Sequence, residues 1–126
     1  MGDGKKYNVS ISENEGIVEL VITGEVPDDL VGDMEREVQD MLQAIKPKKV
    51  LADVRSLKIH LSVTHTYIRV RNVPPPLRVK TAVLDIPEHA EFQQYHENTA
   101  NNAGIPMKAF TDIEKARAWL KSDRND

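Results

Sequence analysis

The chain has 126 residues, 40% hydrophobic and 29% charged, which suits one soluble domain and leaves no room for a second. Seventeen Lys and Arg against twenty Asp and Glu give a formal charge of −3, which argues against coating nucleic acid or anionic membrane by bulk charge. Cysteine is absent, so disulfides, thiol catalysis, zinc knuckles and iron–sulfur ligation are excluded, and 5% aromatic content leaves little to stack on bases or sugars.

Residues 1–6 read as a polar tail, and no apolar run of the signal-peptide kind follows them. The longest apolar stretch, Ile17 to Ile22, is broken by Glu19 and falls far short of the ~20 residues of a membrane span. The expectation is a cytoplasmic protein whose domain covers residues 7–121, with a frayed tail at 122–126.

Tyr7, Val9 and Ile11 alternate with Asn8, Ser10 and Ser12, the period of a half-buried strand. Asn14-Glu15-Gly16 is a turn, and Ile17 to Thr23 a second strand, antiparallel to the first. Gly24-Glu25-Val26-Pro27 is read as a strand breaker. Leu30, Met34, Val38, Met41, Leu42 and Ile45 then mark the apolar stripe of a helix running to about Lys46, with Asp33, Glu35, Glu37 and Asp40 on an acidic outer face. Lys48–Val54 and Arg78–Ile86 read as buried parallel strands. Leu61–Val73 is β-branched and alternating, yet parallel neighbours require a crossover, so a helix from Ser62 is predicted there.

Residues 87–103 form a helix that is polar nearly all round, with Phe92, His96, Thr99 and Ala103 as a narrow apolar strip. Met107–Phe110 is a last strand. Thr111-Asp112-Ile113-Glu114 reads as a capping box, with the Thr111 hydroxyl accepting from the Glu114 amide. Ile113, Ala116, Trp119 and Leu120 supply the apolar face of a final helix. The order is β-β-α-β-α-β-α-β-α. It predicts an α/β fold: a central mixed, mostly parallel sheet with one antiparallel N-terminal strand and four helices.

Three segments carry a resemblance. Thr23-Gly24-Glu25-Val26 is similar to the G-[DE]-[LIV] signature before the first helix of STAS domains. Ala52-Asp53-Val54-Arg55-Ser56-Leu57 is similar to the strand that leads into their phosphorylation loop. Phe110–Leu120 (FTDIEKARAWL) looks like the closing F-x-x-x-E-x-A-x-x-W-L helix of the SpoIIAA-like (STAS/SEC14-type) family of small bacterial domains. With their order, these segments make the chain resemble that family from about Tyr7 to Lys121. The resemblance implies binding or regulation rather than catalysis. STAS antagonists carry a D-S-[ST]-G motif whose Ser or Thr is phosphorylated. Here Lys58 to His65 holds no Asp-Ser pair and no Gly, and leaves only Ser62 and Thr64 as acceptors.

Several polar groups are candidates for a site. Asp53 and Asp85 fall near the C-terminal ends of parallel strands, where open α/β sheets collect ligands. Ser56, His60, Ser62, Thr64 and His65 follow the first of these strands, and a helix start near Ser62 offers free amides to an anion. The same residue types also serve as ordinary caps and solvated loop ends. His89, Gln93 and His96 share a helix face, but no H-E-x-x-H pattern is present, so a solvated or partly packed face is expected and no metal. No G-x-S-x-G turn supports a hydrolase triad. Arg69, Arg71, Arg78 and Lys80 bracket Pro74-Pro75-Pro76 as a basic patch suited to an anion, an acidic partner, or the acidic helix of a second copy. Residues 1–63 hold eight basic and twelve acidic residues, and residues 64–126 nine and eight, so the charge is uneven.

The leading expectation is a non-enzymatic regulatory module that acts by protein–protein contact, with a protein partner or as a homodimer, and without a cofactor. The surface expected joins 56–67 to 69–80. The alternatives are a SEC14-like carrier of a lipid, another apolar ligand or a small anion beside helix 87–103, and a metal- or water-using enzyme at Asp53, His60, His65 and Asp85. A carrier requires a contiguous apolar cavity of roughly 300 Å³ or more. The enzyme requires those four side chains to converge.

Overall fold

Alternating residues build the first two strands, β1 (Tyr7–Asn14) and β2 (Ile17–Val26). Glu15 and Gly16 join them at φ 57° and 82°, both left-handed, as a two-residue type I′ hairpin requires. The computed structural model describes residues 6–60 and 62–122. The tail residues 1–5 and 123–126, and Leu61, lie outside it.

A short 3₁₀ turn, Asp28–Leu30, leads into helix α1 (Val31–Ile45). Strand β3 (Lys49–Asp53), strand β4 (Leu57–Ile59) and helix α2 (Val63–Arg71) follow. Then come strand β5 (Lys80–Leu84), helix α3 (Ala90–Asn102), strand β6 (Met107–Phe110) and helix α4 (Ile113–Lys121). The sheet order is β1-β2-β3-β5-β6, with β4 also paired to β2. Only β1 runs antiparallel to its neighbour; the other pairings are parallel. The predicted α/β architecture is therefore present, with one short strand added.

That extra strand corrects the reading of Gly24 as a breaker. β2 continues through Gly24 to Val26, because its last three residues leave β3 and pair with Leu57–Ile59. Gly24 adopts φ 97°, and a Cβ there would lie 2.2 Å from the Lys6 carbonyl oxygen. That oxygen accepts from the Glu25 amide at 3.0 Å, while the Gly24 amide donates to Ser56 at 3.1 Å. Gly24→Ala is expected to destabilise the fold by about 2–4 kcal/mol, through left-handed strain plus a backbone clash. A lowered urea midpoint at unchanged slope would show it, and an unchanged midpoint would refute it.

The helix predicted over 62–73 is present as α2, so the crossover argument outweighs β-propensity. The start of α4 differs from expectation. Asp112, not Thr111, is the cap: its carboxylate accepts from the Glu114 and Lys115 amides. Ser122 is not frayed. Its hydroxyl donates to the Trp119 carbonyl, and its own carbonyl accepts from Lys80. Ile45, assigned to the buried stripe of α1, is exposed.

The two sheet faces are covered unequally. Among the described residues, helix α4 alone packs one face, where Trp119, Leu120 and Ala116 meet Ile17, Leu51, Ala82 and Leu84 in a buried cluster. Helices α1, α2 and α3 cover the other face, over Leu20, Ile22, Val50 and Val83.

Candidate functional site

Asp53 and Asp85 do not share a site, and strand register is the reason. Asp53 on β3 lies opposite Leu84 on β5, so Asp85 is one residue further along. Side chains alternate across a sheet with a period of two. The two carboxylates therefore project from opposite faces. Asp53 accepts from Arg55 Nε at 3.0 Å and Nη2 at 2.8 Å. Burial opposes its ionisation, but the Arg55 hydrogen bonds and charge outweigh burial and hold the carboxyl below its ordinary range.

The other predicted residues also scatter. His60 is exposed and faces Asp28 at 3.4 Å. Ser62 caps α2, accepting from the His65 amide at 3.2 Å. Ser56, Thr64 and the His65 ring are exposed. The four side chains an enzyme would need thus have separate surroundings.

The basic patch disperses as well. Arg69 Nη1 donates to Glu35 Oε2 at 2.8 Å, which ties α2 to the acidic face of α1 within one chain. Arg78 donates to the carbonyls of Val73, Ala103 and Arg71. Lys80 is buried on the α4 side, donating to the Trp119 and Ser122 carbonyls at 2.7 Å each. Arg71 alone keeps an exposed position, with its guanidinium 4.8 Å from the Tyr67 ring centroid. Of the charge pairing imagined between two copies, one pair, Arg69 with Glu35, is made inside this one.

The structure gathers a different set. Asp85 is buried at the end of β5 and accepts from the Ile86 amide and Gln93 Nε2, both at 2.8 Å, and from His89 Nδ1 at 3.0 Å. With its amide nitrogen committed to that carboxylate, Gln93 offers only Oε1 to His96 Nδ1, 3.1 Å away. His96 Nδ1 therefore carries the hydrogen, and Nε2 is the bare acceptor. Burial, with the Arg69 charge nearby, pushes the His96 pKa down to about 4, so the ring is neutral at pH 7.

These groups line one wall of a cavity of about 280 Å³ beneath α1, α2 and α3. The remaining lining is mostly apolar: Met34, Val38 and Leu42 from α1, Val70 from α2, and Ile22, Ala52 and Val83 from the sheet. Gln39 and Thr81 are the polar exceptions outside the cluster, which Glu35 and Arg69 complete. Of the two readings of this face of helix 87–103, solvated or partly packed, the packed one holds: it is the inner face, with Gln93 buried and His89 and His96 half-buried. Gln93 and Ala100 are its buried residues, not the strip through Thr99 and Ala103. The spacing of 89, 93 and 96 already placed those residues on one face. Nothing in their polarity said that the face turned inward. Among the described residues, no group of three or more His, Asp or Glu is arranged to hold a metal ion.

No family model and no curated protein matches the sequence. The fold does match solved structures. The chain is similar to an anti-sigma factor antagonist from Mycobacterium paratuberculosis, with TM-score 0.65 and 9% identity over 97% of this chain and 100% of that one. It is also similar to an uncharacterised protein of the DUF3478 family with a SpoIIAA-like fold from Shewanella loihica PV-4. There the TM-score is 0.57 and the identity 18%, over 95% of this chain and 98% of that one.

Proposed function

We propose that this chain, which has the SpoIIAA-like fold, is a non-enzymatic regulatory module that docks a protein partner on the outer face of α2 in the cytoplasm. The observation that carries this reading is an exposed apolar group on one helix. Val63, Tyr67 and Ile68 are 56%, 47% and 50% exposed, and Arg71 borders them. Large apolar side chains clustered in water mark contact surfaces more often than scattered ones do. The anti-sigma factor antagonist that shares this fold is named for action on another protein. Among the described residues, no helix is long and apolar enough to cross a membrane.

A photo-reactive residue at position 67 is expected to cross-link one defined protein in the source cells. Ile68→Asp should abolish that cross-link while changing stability by less than about 0.5 kcal/mol, as a surface substitution does. Ile45→Asp, at an exposed position at the end of α1, should leave it intact. A cross-link that survives Ile68→Asp, or none at all, would overturn the reading. Chromatography with light scattering separates a second copy of the chain from a different partner.

A further inference from the structure

The protein contact just proposed uses the outside of α2 and leaves the cavity beneath it without a role. We infer that this cavity binds one small apolar monocarboxylic acid, its chain against Val38, Val70 and Val83 and its carboxyl between Arg69 and His96.

Size comes first. A water molecule occupies about 30 Å³ in the liquid, so 280 Å³ is room for roughly nine or ten non-hydrogen atoms of ligand. The lining fixes the body of the ligand as apolar, because most of the wall has no hydrogen bond to give.

The polar wall fixes the head. Arg69 spends Nη1 on Glu35, and no hydrogen bond engages its Nε or Nη2 among the described residues. His96 Nδ1 is held by Gln93, and Nε2 has no hydrogen-bond partner among the described residues. The wall therefore offers donors on one residue and a basic acceptor on the other. A carboxyl group answers both with separate oxygens, one accepting from Arg69 and one sharing a proton with His96. An alcohol has a single oxygen for both.

Charge points the same way. The groups around His96 are Glu35 on α1, Arg69 on α2, Asp85 beyond β5 and His89 on α3. Arg69 is already balanced by Glu35, and a second carboxylate, Asp85, stands behind Gln93. A multiply charged phosphate head is poorly matched to that wall. A carboxylate that arrives with one proton adds no net charge. The proton comes from solvent and rests between ligand oxygen and His96 Nε2. The low pKa of the empty ring agrees, because only an anionic ligand would stabilise its protonated form.

Calorimetric titration with octanoate, which has ten non-hydrogen atoms, tests this directly. One molecule per chain is expected to bind. Titrations in buffers of different ionisation heat should report uptake of a proton, and affinity should rise as pH falls from about 7.5 to about 6. His96→Phe should remove the proton uptake and weaken octanoate about tenfold or more, as should Arg69→Met, the loss of a charge-assisted hydrogen bond. Octan-1-ol should bind at least about tenfold more weakly than octanoate. Ala100→Leu, which fills the floor of the cavity, should abolish binding of both. Thermal melting of each variant confirms that it is folded.

Octan-1-ol binding as tightly as octanoate would overturn the carboxyl assignment while leaving an apolar site. Failure of both ligands to bind, or octanoate binding unchanged in Ala100→Leu, would overturn the site itself. Neither result bears on the outer face of α2, which the cross-link reads separately.

Discussion

Trp119→Ala is expected to remove about 3–5 kcal/mol of stability, a large share of what a domain of this size possesses. The indole is the largest side chain that α4 lays on the sheet, and only 8% of Trp119 is exposed. Its ring lies 5.8 Å from Phe110, and the Lys80 ammonium sits 4.6 Å from its centroid. Truncation opens a void against Ile17, Leu51 and Leu84 and strips the cation–π contact from a buried charge. Trp119→Phe should cost much less, because the buried indole Nε1 has no hydrogen-bond partner among the described residues and its loss forfeits none there. Urea unfolding followed by circular dichroism measures both. A cost under about 1 kcal/mol for the alanine variant would show that α4 is not what closes this face.

Stability should fall by about 3 kcal/mol between pH 6.5 and pH 4, because of His96. The sign follows from where the proton goes. Burial and then the Arg69 charge depress the folded-state pKa from 6.5 to about 4. Above pH 6.5 the ring is neutral in both states and costs nothing. As the pH falls, the unfolded chain binds a proton that the folded chain refuses, and the balance shifts toward unfolding until the folded pKa is reached. Asp53 and Glu15 act in a lower window. Arg55 and Lys121 hold these carboxyls below their ordinary values, so their stabilisation is lost only as the pH drops through those depressed pKa values. Denaturant midpoints of wild type and His96→Phe should keep a constant offset above pH 6.5, and wild type should lose stability relative to the variant as the pH falls toward 4. Parallel profiles would rule out His96 as the source.

Much of the fold was legible because it rests on period. The alternation at Tyr7–Ile11 and Val18–Ile22 named the correct faces of β1 and β2, and the stripe through Met34 and Leu42 named the buried side of α1. Helix α2 was legible only through topology, since its own residues prefer strand. Strand β4 was not legible, because three residues display no period and Gly24 looks like an ending. The candidate site was less readable for a sharper reason. Whether Asp53 and Asp85 face each other depends on a one-residue offset between strands that are distant in sequence. Nor does charge in a string tell a free cation from one already spent, as Arg78 and Lys80 are on carbonyls of their own chain. The cluster of Asp85, Gln93 and His96 was hidden by its polarity, which reads as solvent-facing until the helix is seen to turn that side inward.

Helix α4 also sets a timetable for synthesis. Ile17, Leu51, Ala82 and Leu84 come from three strands made early, yet the side chains that cover them are Ala116, Trp119 and Leu120. While the chain is being translated, that face stays bare until Leu120 has left the ribosome. At roughly 5–20 residues per second, the stretch from Leu84 to Leu120 keeps an uncovered apolar sheet in existence for about two to seven seconds. The nascent chain is thus most exposed to chaperones, and to other nascent chains, in the interval before α4 arrives.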